Sequence, residues 1–506
     1  MIDADVAAAS SSYGSGIDGL SRDTPLIQTG RRMTQNDNER VSRMVLATFV
    51  ASLGPLSFGY CLGYSSSALL DLQNEEKQVK LNSNQGSWFG ALIALGAVLG
   101  SPLGGWTIET LGRKGTIMFS VIPFELGWLL ISFAFNHWML YFGRLITGIG
   151  VGMVSMTVPV YIAEMSSAKL RGMLGSVNQL AVTFGLLFAY CMGILVKWRW
   201  LALIGAFPPA FLALFMFFMP ETPRWSIGHN RRGDAMNAMR WLKGPGANVE
   251  EECYTIEATL DEQQAMSCSE FCKPSITKPL IISMAAMFFQ QFCGINAVIF
   301  NCAVIFKEAG FENGKDVSVI VAVVQFIGTG CACLIVDRAG RKTLLWTTAL
   351  VMTASLIALG FFFELAILKE GKEVAGLLDS IHHSVPVKKI SWIAILSLIL
   401  YNLAFSLAWG PVPWLLMSEI FPLRARGIAS SISTLFNWSL AFTVTKTFVD
   451  FQKALTPPGT YWLYAGISFL AFLFVVLRVP ETKGKSLEEI ERLFDGGHRR
   501  IYEPIE

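Results

Sequence analysis

The sequence is poor in charge. Asp, Glu, Lys and Arg make up 15% of its 506 residues, where a soluble globular chain carries roughly 25%. That leaves too little polar surface for a soluble multidomain protein. A net charge of +2 sets up no strong field of either sign, which argues against a nucleic-acid partner and an acidic substrate. Histidine is scarce: His137, His229, His382, His383 and His498 are scattered through loops and a tail. No catalytic or metal-binding constellation forms from them, so neither enzyme activity nor a cofactor is expected. No Walker lysine motif is present, so ATP-driven transport is unsupported. Most cysteines fall inside apolar stretches; Cys268 and Cys272, in a polar loop without a histidine, are read as free thiols. Met1 to Ser12 has no basic n-region and no apolar core, so no cleavable signal is expected.

What the chain has is apolar length. Hydrophobic residues make up 53%. A membrane helix needs about 20 apolar residues, so twelve need roughly 240, which this chain supplies. Apolar spans are expected at 44–66, 87–108, 116–135, 138–163, 174–196 and 200–220, then at 278–306, 317–336, 343–368, 389–418, 427–450 and 460–479. The expected organisation is a disordered cytosolic tail over 1–43, a six-helix half over 44–220, a cytosolic helical linker over 221–277, a second six-helix half over 278–480 and a cytosolic tail over 481–506. In the linker Ala235, Met236, Met239 and Leu242 recur at helical spacing. An even span count puts both termini on one side. Roughly 27 of the 40 basic residues then fall on the terminal side, which makes that side the cytosol.

The halves repeat each other. Glu109-Thr-Leu-Gly112-Arg113-Lys114 returns as Asp337-Arg-Ala-Gly340-Arg341-Lys342. Glu164 stands seven residues before Arg171-Gly172, and Glu419 seven before Arg426-Gly427. Each half closes on Pro-Glu-Thr, at Pro220 and Pro480. The offset between copies grows along the chain, mainly through an insertion at about 369–388. The chain reads as an all-α membrane protein of 12 transmembrane helices in two pseudo-symmetric six-helix halves. Parallel repeats of this kind suit alternating access about a midplane site.

In combination these residues resemble the sugar porter family of the major facilitator superfamily, over nearly the whole chain after residue 43. The further signatures are Pro220-Glu-Thr-Pro-Arg224, Gln290-Gln291-Phe-Cys-Gly-Ile-Asn296 and Pro480-Glu-Thr-Lys-Gly-Lys-Ser486. Leu53-Gly-Pro-Leu-Ser-Phe-Gly-Tyr60, Ser87-Trp-Phe-Gly90 and the run from Trp409 to Pro422 resemble the type-8 facilitative glucose transporter subgroup. Insect trehalose transporters and plant sugar carriers of the early-dehydration type are relatives.

A sugar is an array of neutral hydroxyls, so its site needs amides that both donate and accept, and an aromatic face for the ring. Gln290, Gln291 and Asn296 supply amides in span seven, where an unsatisfied amide is costly. Helix-to-helix hydrogen bonding is the plainer use of the same groups. The resemblance adds Gln179, Gln325, Trp414, Asn437 and Trp438 as substrate-binding positions. It also implies departures from the glucose pattern: Gln325 where relatives often have Asn, Ser406 where they have an acid, and Phe292-Cys293 and Phe300-Asn301 at two further positions. Pro411 and Pro413 beside Gly410 should break span ten.

The duplicated charges Glu109, Arg113, Glu164, Arg171, Asp337, Arg341, Glu419 and Arg426 are read as gating residues, with Glu164 and Glu419 pairing with Arg113 and Arg341 when the cytosolic side is shut. Their alternative use is a solvated face that sets topology. Proton-coupled relatives carry an Asp in span one opposite an Arg in span four; here Cys61 holds that place and Arg144 is kept. Glu125 in span three is then the candidate proton site, or else a structural partner for Arg144, the reading preferred here. Asp23-Thr-Pro-Leu-Ile27 resembles an acidic dileucine signal for a sorting adaptor, with Arg22 where an acid is usual. Asn437-Trp-Ser439, the N-x-[ST] match, lies in a membrane span and offers no usable glycosylation site. The expected function is facilitative uniport of a hexose, most simply glucose, in the plasma membrane or an endosomal or lysosomal membrane. The rivals are a proton–sugar symporter, a trehalose carrier and a non-transporting sugar sensor.

Overall fold

A computed structural model describes residues 41–74, 79–167, 170–244, 249–261, 273–308, 314–375, 387–422, 425–483, 485, 489–490 and 494. The N-terminal tail with Asp23–Ile27, Cys268 and Cys272 lie outside them. All regular structure among the described residues is helical.

Six spans form the first half: Val41–Asn74, Ser83–Thr110, Gly112–Ser132, His137–Met165, Arg171–Leu195 and Trp198–Met216. The second half has span seven over Pro274–Lys307, eight over Gly314–Val336, nine over Arg341–Ala366 and ten over Trp392–Ile420. The last apolar helix, Gly427–Arg478, is 52 residues long, more than twice what a crossing requires. Thr456 breaks it with φ 63 and ψ 163, just before Pro457 and Pro458. It therefore makes spans eleven and twelve, and the eleven long apolar helices amount to twelve crossings. Asn82 and Gln85 close a capping box at the start of span two, and Asn136 caps span four. Large apolar side chains such as Phe49, Trp106, Phe135 and Leu477 point outward, as a lipid-facing belt requires.

Two helices are broken in the second half. Span seven splits into Pro274–Phe292 and Ile295–Glu308 around Gly294, whose φ is +91. A Cβ there would stand 2.5 Å from the Tyr464 ring, so only glycine fits. Span ten runs helical to Ala404, passes through a π-helical turn over Phe405–Trp409 and restarts at Val412–Ile420. Pro411 and Pro413 lack the amide protons that a continuous helix would need. The halves meet along three pairs of spans: one with seven, five with eight and two with eleven. Between the halves, helices Pro223–Gly228, Arg232–Lys243 and Val249–Asp261 gather at the Gly-Arg-Lys end. Arg43 at the start of span one ties in there, donating to the Trp241 carbonyl at 2.6 Å.

Candidate functional site

The duplicated motif builds the same turn twice. Gly112 and Gly340 have φ of +84 and +91, and a Cβ on Gly112 would lie 2.3 Å from the Glu221 carboxylate. Those turns aim backbone amides at the glutamate of each Pro-Glu-Thr. Arg113 N and Lys114 N donate to Glu221 at 3.1 and 3.0 Å; Arg341 N and Lys342 N donate to Glu481 at 3.0 and 3.1 Å. Burial pushes the Glu221 carboxyl up, and the backbone amides of Thr222, Lys114, Gly115 and Arg113 pull it back down. The arginine side chains reach across to span four and span ten. Arg113 Nη2 sits 3.0 Å from Glu164, and Arg341 Nη2 sits 2.9 Å from Glu419. Each pair lies within one half. The copies differ in one respect. Glu419 Oε2 accepts from Thr482 Oγ1 at 2.6 Å, while Glu164 Oε2 and Thr222 Oγ1 are buried without partners among the described residues. Arg171 donates to the Ala163 carbonyl at 3.2 Å. The Glu109 side chain is exposed, and the Glu109 carbonyl accepts from the Trp225 indole N–H. The side chains of Asp337 and Arg426 lie outside the described residues.

The opposite end joins the halves. Lys315 Nζ at the start of span eight donates to Asp71 Oδ1 at 2.6 Å and to the Gly193 carbonyl at 3.0 Å. Asp71 Oδ2 in turn accepts from Trp198 N at 3.2 Å. Lys307 reaches Asn74 at 3.0 Å, Ala303 N donates to Ser66 Oγ at 3.0 Å and Tyr190 OH to the Ile299 carbonyl at 2.7 Å. Toward the Gly-Arg-Lys end the described hydrogen bonding between halves thins to Cys333 Sγ and the Ser176 carbonyl, 3.8 Å apart. None of this latch was legible in sequence, because Asp71, Lys307 and Lys315 sit in loops and helix ends where charges are ordinary.

Between the two ends lies a cluster of buried amides. Asn296 Nδ2 donates to Gln291 Oε1 at 2.5 Å and Gln291 Nε2 to Asn437 Oδ1 at 3.0 Å. Asn437 Nδ2 donates to Gln290 Oε1 at 2.7 Å and to Met287 Sδ at 3.2 Å. Gln290 Nε2 donates to the carbonyls of Trp409 and Gly410 at 2.7 and 3.1 Å, at the break in span ten. So Gln290, Gln291, Asn296 and Asn437 come together. No described hydrogen bond joins the side chains of Gln179, Gln325 or Trp414 to them. Gln325 is buried on span eight, and Gln179 and Trp414 are half-buried on spans five and ten. Trp438 follows Asn437, packs edge-on to Phe58 of span one with centroids 5.5 Å apart, and keeps a buried indole N–H without a partner among the described residues. A buried orphan donor is costly unless something accepts from it. Sequence reasoning missed the backbone carbonyls of Trp409 and Gly410, although Pro413 has no amide proton to bond the Trp409 carbonyl four residues back.

The pairing of Glu125 with Arg144 is corrected. Arg144 is fully buried and binds span one and span two instead: Nη1 donates to the Cys61 carbonyl at 3.0 Å, Nε to the Phe89 carbonyl at 3.3 Å, and Nη2 to Ser65 Oγ. Its guanidinium also stacks 5.1 Å from the Phe89 ring centroid. Glu125 Oε1 is buried without a partner among the described residues. Oxygen acceptors on the two adjoining helices already surround the cation, so it does not turn to span three.

A family model described as "Sugar (and other) transporter" matches residues 47–494. The chain belongs to the sugar transporter family. Among curated relatives, the bovine solute carrier family 2, facilitated glucose transporter member 8, is 42% identical over 468 residues, covering 90% of this chain and 95% of the relative. The facilitated trehalose transporter Tret1 of Apis mellifera ligustica is 39% identical over 467 residues, covering 91% of this chain and 90% of the relative. Among solved structures, the proton:xylose symporter XylE bound to 6-bromo-6-deoxy-D-glucose superposes with a TM-score of 0.72 at 27% identity, over 90% of this chain and 99% of that one. A partially occluded inward-open form of XylE from E. coli gives 0.73 over 88% and 100%. This sugar transporter therefore has the major facilitator fold, is a multi-pass integral membrane protein and is not an enzyme. Its substrate is a small-molecule sugar.

Proposed function

We propose that this sugar transporter carries a hexose, D-glucose first, by downhill uniport with both termini in the cytosol. The observation that carries the reading is the amide cluster of Gln290, Gln291, Asn296 and Asn437, with Trp438 the next residue on span eleven and packed on Phe58 of span one. Neutral donors and acceptors next to an aromatic face match hydroxyls on an apolar ring. Gln179, Gln325 and Trp414 would complete the cavity as it changes shape. Uniport is supported by Arg144, whose partners are carbonyls, a hydroxyl and rings, with no carboxylate to load and unload. The Glu109, Arg113, Glu164, Arg171, Asp337, Arg341, Glu419 and Arg426 positions would brace the cytosolic ends of the two halves. The 42% identity to a facilitated glucose transporter supports the sugar, and the 39% identity to Tret1 keeps trehalose as the second candidate.

Counterflow in proteoliposomes against glucose, fructose, galactose and trehalose is the direct test. Exchange of labelled glucose, blocked by excess unlabelled glucose and unaffected by a protonophore, is the expected result. Accumulation above equilibrium under an inward proton gradient, abolished by Glu125→Gln, would establish symport and make Glu125 the proton site.

A further inference from the structure

Spans nine and twelve leave a groove on the lipid-facing side of the second half. It measures about 520 Å³ and is lined by Thr353, Ile357 and Phe361 of span nine and by Trp462, Gly466 and Phe469 of span twelve. Two glycines shape it. A Cβ on Gly360 would stand 2.3 Å from Trp462 Nε1, so the indole packs where a side chain would otherwise be, and Nε1 donates to the Ile357 carbonyl at 3.4 Å. A Cβ on Gly466 would meet nothing within 4 Å, so that side of the groove is open to the bilayer. Phe361 stands edge-on to the indole, with ring centroids 5.4 Å apart. Thr353 turns its hydroxyl back to the Ala349 carbonyl at 2.8 Å. The lining is thus apolar, with its two polar side-chain groups bonded to backbone. Thr353, Ile357, Phe361 and Glu364 recur at i, i+4, i+8 and i+11, which is one stripe of a helix. The stripe rises about 16 Å, roughly one leaflet of a hydrocarbon core about 30 Å thick. Its last member, Glu364, is half-buried near the end of Arg341–Ala366, at the membrane face opposite the Gly-Arg-Lys turns. Glu364 makes no hydrogen bond or ion pair among the described residues.

We propose that this groove is a sterol site, with the fused rings against Phe361, Trp462 and Phe469 and the sterol hydroxyl donating to Glu364. The volume lies within the roughly 300–1,000 Å³ of small-molecule sites. A groove that is apolar for the depth of one leaflet and polar at its membrane-surface end fits a lipid of the same pattern. Glu364 decides which lipid. A carboxylate accepts from a neutral hydroxyl but repels the phosphate of a phospholipid whose acyl chain lay in the groove. The walls point the same way. The indole is held by its own hydrogen bond, and a rigid ring system loses less freedom against a fixed wall than a flexible acyl chain does. The site is separate from the sugar amides and does not depend on which sugar is carried.

Photolabelling of the full-length transporter in phosphatidylcholine nanodiscs with a diazirine-bearing cholesterol analogue tests the site. Labelled peptides should fall within 353–364 and 462–469, and excess unlabelled cholesterol should suppress them. Glu364→Leu should lower that labelling about tenfold, as for the loss of one hydrogen bond to a charged group. Gly466→Leu, which puts a side chain into the groove, should abolish it, and the thermal midpoint of each variant shows that it folds. If Gly466→Leu does not fold, Glu364→Leu and the competition on wild type decide the matter. A diazirine-bearing phosphatidylcholine should label the groove no more than other lipid-facing helices. Unchanged sterol labelling in the folded variants overturns the proposal. So does phosphatidylcholine labelling of the groove that cholesterol does not displace, which would report an acyl chain. Sterol labelling lost only in discs that hold two transporters also overturns it, since a second copy of the chain would then be the occupant of this face.

Discussion

Neutralising Asp71 should open the end of the transporter opposite the Gly-Arg-Lys turns. Asp71 and Lys315 approach to 2.6 Å with side chains 21% and 18% exposed. Two unit charges about 4 Å apart attract by roughly 4 kcal/mol at an effective dielectric of about 20. Desolvation and side-chain ordering cancel most of that, and fully exposed pairs retain only about 0.2–1 kcal/mol. This pair is partly buried and buttressed by the Gly193 carbonyl and the Trp198 amide, so a net contribution of about 1–2 kcal/mol to the closed end is the fair expectation. At about 1.4 kcal/mol per tenfold, Asp71→Asn should shift the closed–open equilibrium by roughly fivefold to thirtyfold. Cys302 is a native reporter: it is 1% exposed and adjoins Ala303, whose amide holds Ser66 across the seam. Its alkylation by a membrane-impermeant maleimide, added from the side of the membrane on which Asp71 lies and located by mass spectrometry, should speed up by the same factor. Lys315→Met should match it, and the double variant should go little further, because the two residues share one interaction. Equal alkylation rates in wild type and Asp71→Asn would show the pair to be a solvated ornament and refute the latch.

Three further outcomes follow from the same geometry. Gln291→Leu and Asn296→Ala should each weaken sugar binding by about 1 kcal/mol or more at normal protein level; normal uptake in both removes the site assignment. Thr482→Val should lower the thermal midpoint, with a loss of about 1 kcal/mol, whereas Thr222→Val should be neutral or stabilising, since only Thr482 bonds its glutamate; equal losses would mean that the two turns are alike. Gly112→Ala should cost about 1–3 kcal/mol, because the residue sits at φ +84 with its new Cβ against Glu221, and an unchanged thermal midpoint would show that the turn is not under that constraint.

Much of this architecture was readable from residues alone, for reasons that differ by element. Twelve crossings could be counted because apolar length has no other use at that scale, although the last two crossings form a single helical run that only Thr456 and two prolines divide. The paired turns were readable because Gly, Arg and Lys recur at one spacing, and a glycine at positive φ is the means of turning two amides onto one carboxylate. The break in span ten was announced by Pro411 and Pro413, but its π turn was not. The sequence marked Gln290, Gln291 and Asn437 as amides without saying that they bind one another. Hydrogen-bond partners 146 and 147 residues apart leave no local signal. The latch between Asp71 and Lys315 was invisible for the same reason.

Arg144 shows how an ordinary-looking position carries mechanistic weight. A guanidinium with no exposed surface is expensive unless its donors are met. One solution is a carboxylate, which would make the site electrically responsive to a proton. This transporter uses another: the Cys61 and Phe89 carbonyls, the Ser65 hydroxyl and two aromatic faces, those of Tyr64 and Phe89. Dipoles and rings stabilise the charge without any group that gains or loses it. The three donor bonds also tie span four to spans one and two. Glu125, a partly buried acid on span three, stands outside that arrangement with one oxygen unpartnered. Coupling through Glu125 would therefore need a route to the proposed sugar amides that bypasses Arg144, and none of its described hydrogen bonds offers one. The described hydrogen bonds of Arg144 thus go to carbonyls and a hydroxyl and to no carboxylate, the observation on which the uniport proposed above rests.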